Sequence, residues 1–181
     1  MFIRTYHPKK SLRPDKSTIE KMLGMGWVAQ AKMNGFRVQI HVTEERVVNY
    51  TRQGSLHTRP LPKALIDALK ATFEPGTAII GEWVQHEGKI YLFDCIKKDG
   101  ETLSRLSYKD RFALLPDVSG PLTLLPFISD VETAYQTLMD ETTEGIVFKD
   151  IDRKGFEDNS IIRCRRCGVN YQPLRNHRSV T

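Results

Sequence analysis

The chain has 181 residues, 40% of them hydrophobic and 27% charged, a balance that can fill a core and excludes a mostly disordered polypeptide. No stretch approaches the roughly 20 continuous apolar residues of a membrane span, and residues 1–8 lack the apolar run of a signal peptide, so no membrane partner and a cytoplasmic location are expected. The formal net charge of +5 admits a polyanionic partner without requiring one, and the three cysteines, Cys95, Cys164 and Cys167, are an odd number that argues against a disulfide-stapled fold.

Residues 1–14 read as an extended arm carrying Arg4, Lys9, Lys10 and Arg13 and closed by Pro14. Ser17-Thr18-Ile19-Glu20 then fits a capping box, in which the hydroxyl and the carboxylate satisfy free N–H groups at the start of a short helix. Gly24 and Gly26 end it. Segments 27–32, 36–42 and 46–51 are rich in β-branched and aromatic residues and read as strands. Asn34-Gly35 marks a turn between the first two, since glycine accepts positive φ without a Cβ clash. Pro62 suits the first turn of a helix to about Ala71, with Ala64, Leu65, Ala68 and Leu69 at helical spacing.

Pro75-Gly76 opens a strand pair, 77–85 and 89–96, joined through His86-Glu87-Gly88 and followed by a Lys98-Asp99-Gly100 turn. Residues 107–115 read as a helix that Pro116 ends. A second capping box, Ser129-Asp130-Val131-Glu132, starts a helix to about Asp140, and 143–149 returns to strand. Beyond Asp150 the pattern is lost: polar turns lead to Ile161, and the last ten residues have little reason to be ordered. The order is mixed α+β, with antiparallel pairs and helices against them rather than the alternation of a doubly wound sheet. Basic residues bunch again near the end, at Arg163, Arg165, Arg166, Arg175 and Arg178.

The run Lys32-Met33-Asn34-Gly35-Phe36-Arg37 places an ammonium at the end of an apolar strand, beside a tight turn, with a guanidinium returning on the next strand. A lysine becomes a nucleophile when desolvation or nearby cations lower its pKa. A glycine turn lets backbone approach a phosphate closely, and arginine can grip one with two parallel hydrogen bonds. The plain alternative is a hairpin whose Lys32 and Arg37 reach out to solvent.

This run resembles the K-x-D-G-x-R nucleotidyl-transfer motif of ATP-dependent DNA ligases, RNA ligases and mRNA capping enzymes, with Asn34 where Asp is usual. Tyr50-Thr51-Arg52-Gln53-Gly54 is similar to the arginine–glycine motif that follows. Ile79-Ile80-Gly81-Glu82-Trp83 resembles the apolar strand ending in a functional Glu, and Tyr91-Leu92-Phe93-Asp94 the aromatic motif. Residues 98–111 are similar to DNA ligases of this group, and Glu144-Gly145-Ile146-Val147-Phe148-Lys149 resembles the E-G-hydrophobic-hydrophobic-x-K motif. All arrive in the expected order over residues 27–149.

The resemblance implies an α+β nucleotidyltransferase fold, antiparallel sheets flanked by helices around a central nucleotide cleft. It implies a covalent lysyl-AMP at Lys32, formed from ATP with Mg²⁺ or Mn²⁺ and passed to nicked DNA or another 5′-phosphorylated nucleic-acid end. Lys32, Arg37 and Lys149 are the expected catalytic residues. Gln30 would read adenine, Phe93 would stack on it, and Arg52, Glu82 and Lys149 would contact ribose or phosphates. Glu144 and Glu82 are the expected metal carboxylates. A nucleotide- or nick-binding module without chemistry is the rival reading, and an RNA ligase or capping-type guanylyltransferase a third.

Two departures stand out. The K-x-K pair that normally follows the E-G motif is absent, and Arg163 and Arg165 occupy its region with the same alternation. Only 32 residues follow Lys149, too few for the five-stranded OB-fold domain that usually closes over ATP. A stand-alone domain over 27–168, with 1–26 belonging to it and 169–181 as a flexible tail, is the expected organisation. A fragment, a minimal ligase of phage or viral type, or a protein whose partner supplies the OB-fold function are the alternatives. Cys164-x-x-Cys167 does not complete the spacing of a zinc finger; His177 and Cys95 are candidates for two further ligands, but nothing in the spacing forces them into one site.

Overall fold

The computed structural model describes residues 1–5, 8, 10–156 and 160–166. After the two-residue strand β1 (Ser11–Leu12), helix α1 (Lys16–Gly24) starts two residues earlier than its sequence signature indicates. Asp15, not Ser17, is the N-cap: its carboxylate accepts the Thr18 N–H at 2.7 Å. A carboxylate gains both the hydrogen bond and the attraction of the helix dipole, so it outcompetes the nearby serine. The same correction applies to α4 (Val131–Met139), which Asp130 caps through Thr133 N–H at 2.7 Å in place of Ser129. Pro62 is the N-cap of α2 (Lys63–Thr72), just outside the first turn, and α3 keeps only Tyr108–Phe112 of the helix expected over 107–115, with Ser107 as its cap.

Two sheets form. One has the order β1-β10-β9-β2, built from β2 (Val28–Met33), β9 (Thr143–Lys149) and β10 (Ile161–Arg165), with β1 parallel to β10 and the other pairs antiparallel. The other has the order β4-β3-β5-β6-β7, from β3 (Phe36–Val42), β4 (Val47–Thr51), β5 (Ala78–Val84), β6 (Lys89–Lys98) and β7 (Glu101–Thr102). A short β8 (Leu122–Leu124) lies parallel beside β6. Asn34-Gly35 therefore does not close a hairpin. It carries the chain from one sheet to the other, since β2 pairs with β9 and β3 with β4 and β5. Gly35 is required there by close approach: a Cβ would lie 2.6 Å from the Trp83 carbonyl oxygen.

Each sheet buries one face under helices. Ala29, Ile146, Phe148 and Cys164 pack with Ile19 of α1 and Leu138 of α4, while Ile40, Ile79 and Leu92 pack with Leu65 and Leu69 of α2. Because side chains alternate across a strand, Gln30, Lys32, Val147, Lys149, Arg163 and Arg165 stand on the opposite face of the first sheet, where they line a cavity. No helix among the described residues is long and apolar enough to cross a membrane.

The basic arm touches both sheets. Ile3 exchanges two hydrogen bonds with the Gln39 amide of β3, each 2.8 Å, and Phe2 packs on Tyr50 of β4. At the other end Ser11 and Leu12 pair with Arg163 and Cys164 of β10. Lys9 of the arm, Cys167, Arg175, His177, Arg178 and the tail expected over 169–181 lie outside the described residues.

Candidate active site

A cavity of about 680 Å³ opens between the two sheets, and every site residue expected from the sequence lines it: Gln30, Lys32, Arg37, Arg52 and Glu82, with Phe93, Glu144, Lys149, Arg163 and Arg165. β2 ends in an irregularity between Lys32 and Met33, so the Lys32 side chain leaves the sheet at the cavity floor, opposite Gly145 of β9. Its Nζ forms an ion pair with Glu144 Oε2, and Arg165 Nε reaches the same oxygen at 3.2 Å. Glu144 is thus a buried carboxylate shared by two cations from the strands on either side of its own.

Glu82 and Arg37 face each other across the β5–β3 ladder. Burial pushes the Glu82 carboxyl up to about 7. Lys32 and Arg37 oppose that rise, Glu144 adds to it, and the Gly35 N–H, donated to the carboxylate, pulls it back down. Arg37 is half-buried at the cavity edge. Burial lowers its pKa, the carboxylates of Glu82 and Asp94 resist this, and its Nη2 donates to Thr5 Oγ1 at 3.1 Å.

Phe93 forms a wall with cations against it: Lys149 Nζ lies 4.4 Å from its ring centre and the Arg37 guanidinium 5.6 Å. Lys149 is also 4.3 Å from the Tyr108 ring, and its Nζ donates to the Tyr108 hydroxyl at 2.6 Å. Burial lowers Lys149 to about 7, Asp94 partly offsets this, and Arg37 and Arg111 reinforce it. The Tyr108 hydroxyl is also within hydrogen-bonding reach of the Phe93 carbonyl and of Gln30 Oε1, the latter at 2.9 Å. Gln30 Nε2 donates to the Leu125 carbonyl at 2.6 Å. The Gln30 amide therefore faces the cavity but already joins β2 to neighbouring segments at both ends. Arg111 holds Asp94 through two hydrogen bonds of 2.9 and 3.1 Å behind this cluster.

Tyr108, Asp94 and Arg111 were not singled out from the sequence as site residues. An aromatic hydroxyl and a buried ion pair beside a helix cap carry no spacing signature. His57 also lines the cavity and packs edge-on to Trp83 at 5.5 Å and to Phe36 at 5.8 Å; only its aromatic surroundings in three dimensions reveal it. The Asn34 Oδ1 is buried with no hydrogen-bond partner among the described residues. A charged carboxylate left unpaired there would cost more than the neutral amide does. Cys164 faces the helix-covered core, and no group of three or more metal-ligating side chains occurs among the described residues.

A family model described as RNA ligase matches residues 25–164. A DNA ligase of Thermococcus onnurineus (strain NA1) is 27% identical over 176 residues, covering 75% of this chain and 31% of that protein. A solved structure described as mycobacterial DNA ligase D complexed with ATP and MES matches with a TM-score of 0.59 at 18% identity, covering 77% of this chain and 54% of that one. An archaeal ATP-dependent RNA ligase matches with a TM-score of 0.53 at 19% identity, covering 88% and 48%. The chain spans 31% of its curated relative and about half of these structures. At such identities the structural likeness carries the fold alone, and that fold is the α+β arrangement expected from the sequence.

Proposed function

The chain belongs to the RNA ligase family, as a nucleotidyltransferase domain of the ATP-dependent ligase type, and from that premise we propose that Lys32 accepts AMP from ATP as a covalent lysyl-AMP. The observation that carries this is the convergence of Lys32, Glu82, Phe93, Glu144 and Lys149 on one cavity of nucleotide size. The Lys32 ammonium first gives a proton to Glu144, its ion-pair partner, and the amine so formed attacks the α-phosphorus. The N–P bond forms as the bond to pyrophosphate breaks, and the second nitrogen proton leaves to solvent. Arg37, Arg52, Arg163 and Arg165 neutralise charge on the phosphate oxygens, and the cavity face of Phe93 takes the purine.

Magnesium or manganese fits the donor set. Glu82 and Glu144 line the same cavity, close enough for the Glu144 charge to raise the Glu82 carboxyl, and Mg²⁺ commonly combines one or two carboxylates with water and phosphate oxygens. Those two residues would hold the ion, which when bound supplies further positive charge to the phosphates. In the proposed cycle the adenylate then moves to the 5′-phosphate of nicked DNA, where a 3′-hydroxyl displaces AMP. The family description favours an RNA end as the second reading, and joining of nicked RNA against nicked DNA separates the two.

Intact-mass spectrometry after incubation with ATP and Mg²⁺ tests the first step. The wild-type chain is expected to gain the mass of one AMP and Lys32→Ala to gain none. An unmodified wild-type chain, or an adduct that persists in the variant, overturns the assignment.

A further inference from the structure

The cavity does not end the line of positive charge. Along β10, Ile162 and Cys164 pack against the helix-covered core while Arg163 and Arg165 open on the cavity. Arg166, of the opposite parity, spends its guanidinium on the carbonyls of Met139 and Thr143. β1 lies parallel beside β10 with Ser11 opposite Arg163 and Leu12 opposite Cys164. Leu12 joins the core, whereas the Ser11 hydroxyl accepts a hydrogen bond from Arg163 Nε at 2.6 Å and so shares the cavity face.

Arg13, one residue beyond β1, continues the chain toward Arg165, since Ser11 lies opposite Arg163 and Leu12 opposite Cys164. It is exposed, and its carbonyl accepts from Cys164 Sγ at 3.3 Å, which keeps its backbone against β10 one residue beyond the pairing. Its acidic neighbour Asp15, close enough for Arg13 to lower its carboxyl pKa, accepts the Thr18 N–H. Between Lys32 and Arg165 the row crosses Gly145, which presents no side chain to block it.

From Lys32 on β2 to Arg13 beside β1 is three strand spacings, about 14 Å. A triphosphate anchored at Lys32 has two further phosphates to offer, within the compass of Arg165. Arg13 lies another strand out, where a phosphate of a separate polyanion fits. One nucleic-acid strand carries a charge about every 3.4 Å of helix axis, so a row of this length meets several in succession. We propose that Arg13, with Arg163 and Arg165, forms a track along the β1–β10 edge that grips the sugar–phosphate backbone of the polynucleotide whose 5′-phosphate receives the adenylate. This rests on the lysyl-AMP reading above for its direction toward Lys32, but binding to the track needs no chemistry.

The test is fluorescence anisotropy with a 5′-phosphorylated nicked DNA duplex over a salt series, in the absence of ATP. Arg13→Ala is expected to bind about tenfold more weakly at low salt and to lower the slope of log affinity against log salt by about one. Arg13→Lys restores the slope. Lys70→Ala, which removes the same charge from an exposed site on α2 outside the cavity, leaves the slope as it was. Equal affinity and slope for wild type and Arg13→Ala overturn the track. A raised KM for ATP in adduct formation by Arg13→Ala, with nick binding intact, assigns the row to the triphosphate and overturns it equally. Failure of the wild-type chain to form any adduct sinks the lysyl-AMP reading and leaves the binding result standing.

Discussion

Replacing Gly145 with alanine strikes the point where three strands meet. Gly145 lies opposite Lys32 on one side and Arg165 on the other, with φ at +138°, a conformation that L side chains rarely adopt. An added Cβ would sit 2.3 Å from the Cys164 carbonyl oxygen, 3.0 Å from Arg165 Cα and 3.2 Å from the Cys164 carbonyl carbon. All three are backbone atoms, so no side chain can swing aside. The backbone strain costs about 1–3 kcal/mol, and forcing β10 away from β9 costs about 1–3 kcal/mol more. The sum, about 2–6 kcal/mol, is a large share of the roughly 5–15 kcal/mol that holds a domain together. At about 2–4 °C per kcal/mol for a chain of this size, Tm should fall by roughly 4–24 °C. Urea titration followed by circular dichroism measures the loss. The displaced β10 carries Arg165 away from Glu144, so adduct formation slows in the protein that remains folded. A variant within about 1 kcal/mol of wild type, forming the adduct at the wild-type rate, would refute the claim that bare backbone at 145 is what lets β2, β9 and β10 close on each other.

Two further outcomes follow from the cluster behind Phe93. Tyr108→Phe takes from Lys149 Nζ the acceptor it donates to at 2.6 Å and removes the hydroxyl's reach to Gln30; a loss of about 1–3 kcal/mol in urea unfolding is expected, with a raised KM for ATP in adduct formation, and an unchanged KM would show that the hydroxyl does not position the nucleotide wall. Burial lowers Lys149 from 10.5 to about 7, so between those values the unfolded chain holds a proton that the folded chain has released, and the contribution of this group to stability rises with pH across that window. Lys149→Met should flatten the climb of the urea midpoint between pH 7 and 10, and a variant that climbs as steeply as wild type would contradict the burial argument.

The strands and the site were legible for different reasons. Helix α2 announces itself through Leu65 and Leu69 at helical spacing, and both are buried against the six-stranded sheet. The pairing of β5 with β6 follows from two apolar runs around a short connection. Asn34-Gly35 advertises a turn, but the signal is local and is silent on which strands the turn will join; the two it separates belong to different sheets. β10 escaped because five residues with two arginines present too little apolar periodicity, and only its place opposite β9 makes it a strand. β1 and β8, of two and three residues, exist through their partners alone. Ser17 and Ser129 each satisfied a capping pattern that an aspartate one or two residues away satisfies better. Lys32, Glu82, Phe93, Glu144 and Lys149 could be named together only through resemblance, since nothing in their separate spacings brings them to one cavity.

The attachment of residues 1–12 to both walls sets a limit on motion. From Thr5, bonded to Arg37 of one sheet, to Ser11, paired with the other, six peptide units can stretch to about 21 Å at most. The gap between the walls therefore cannot widen past that tether while both anchors hold. Any wider gape, whether to admit a bulky end or to release one, must first break the Thr5–Arg37 bond or the Ser11–Leu12 pairing.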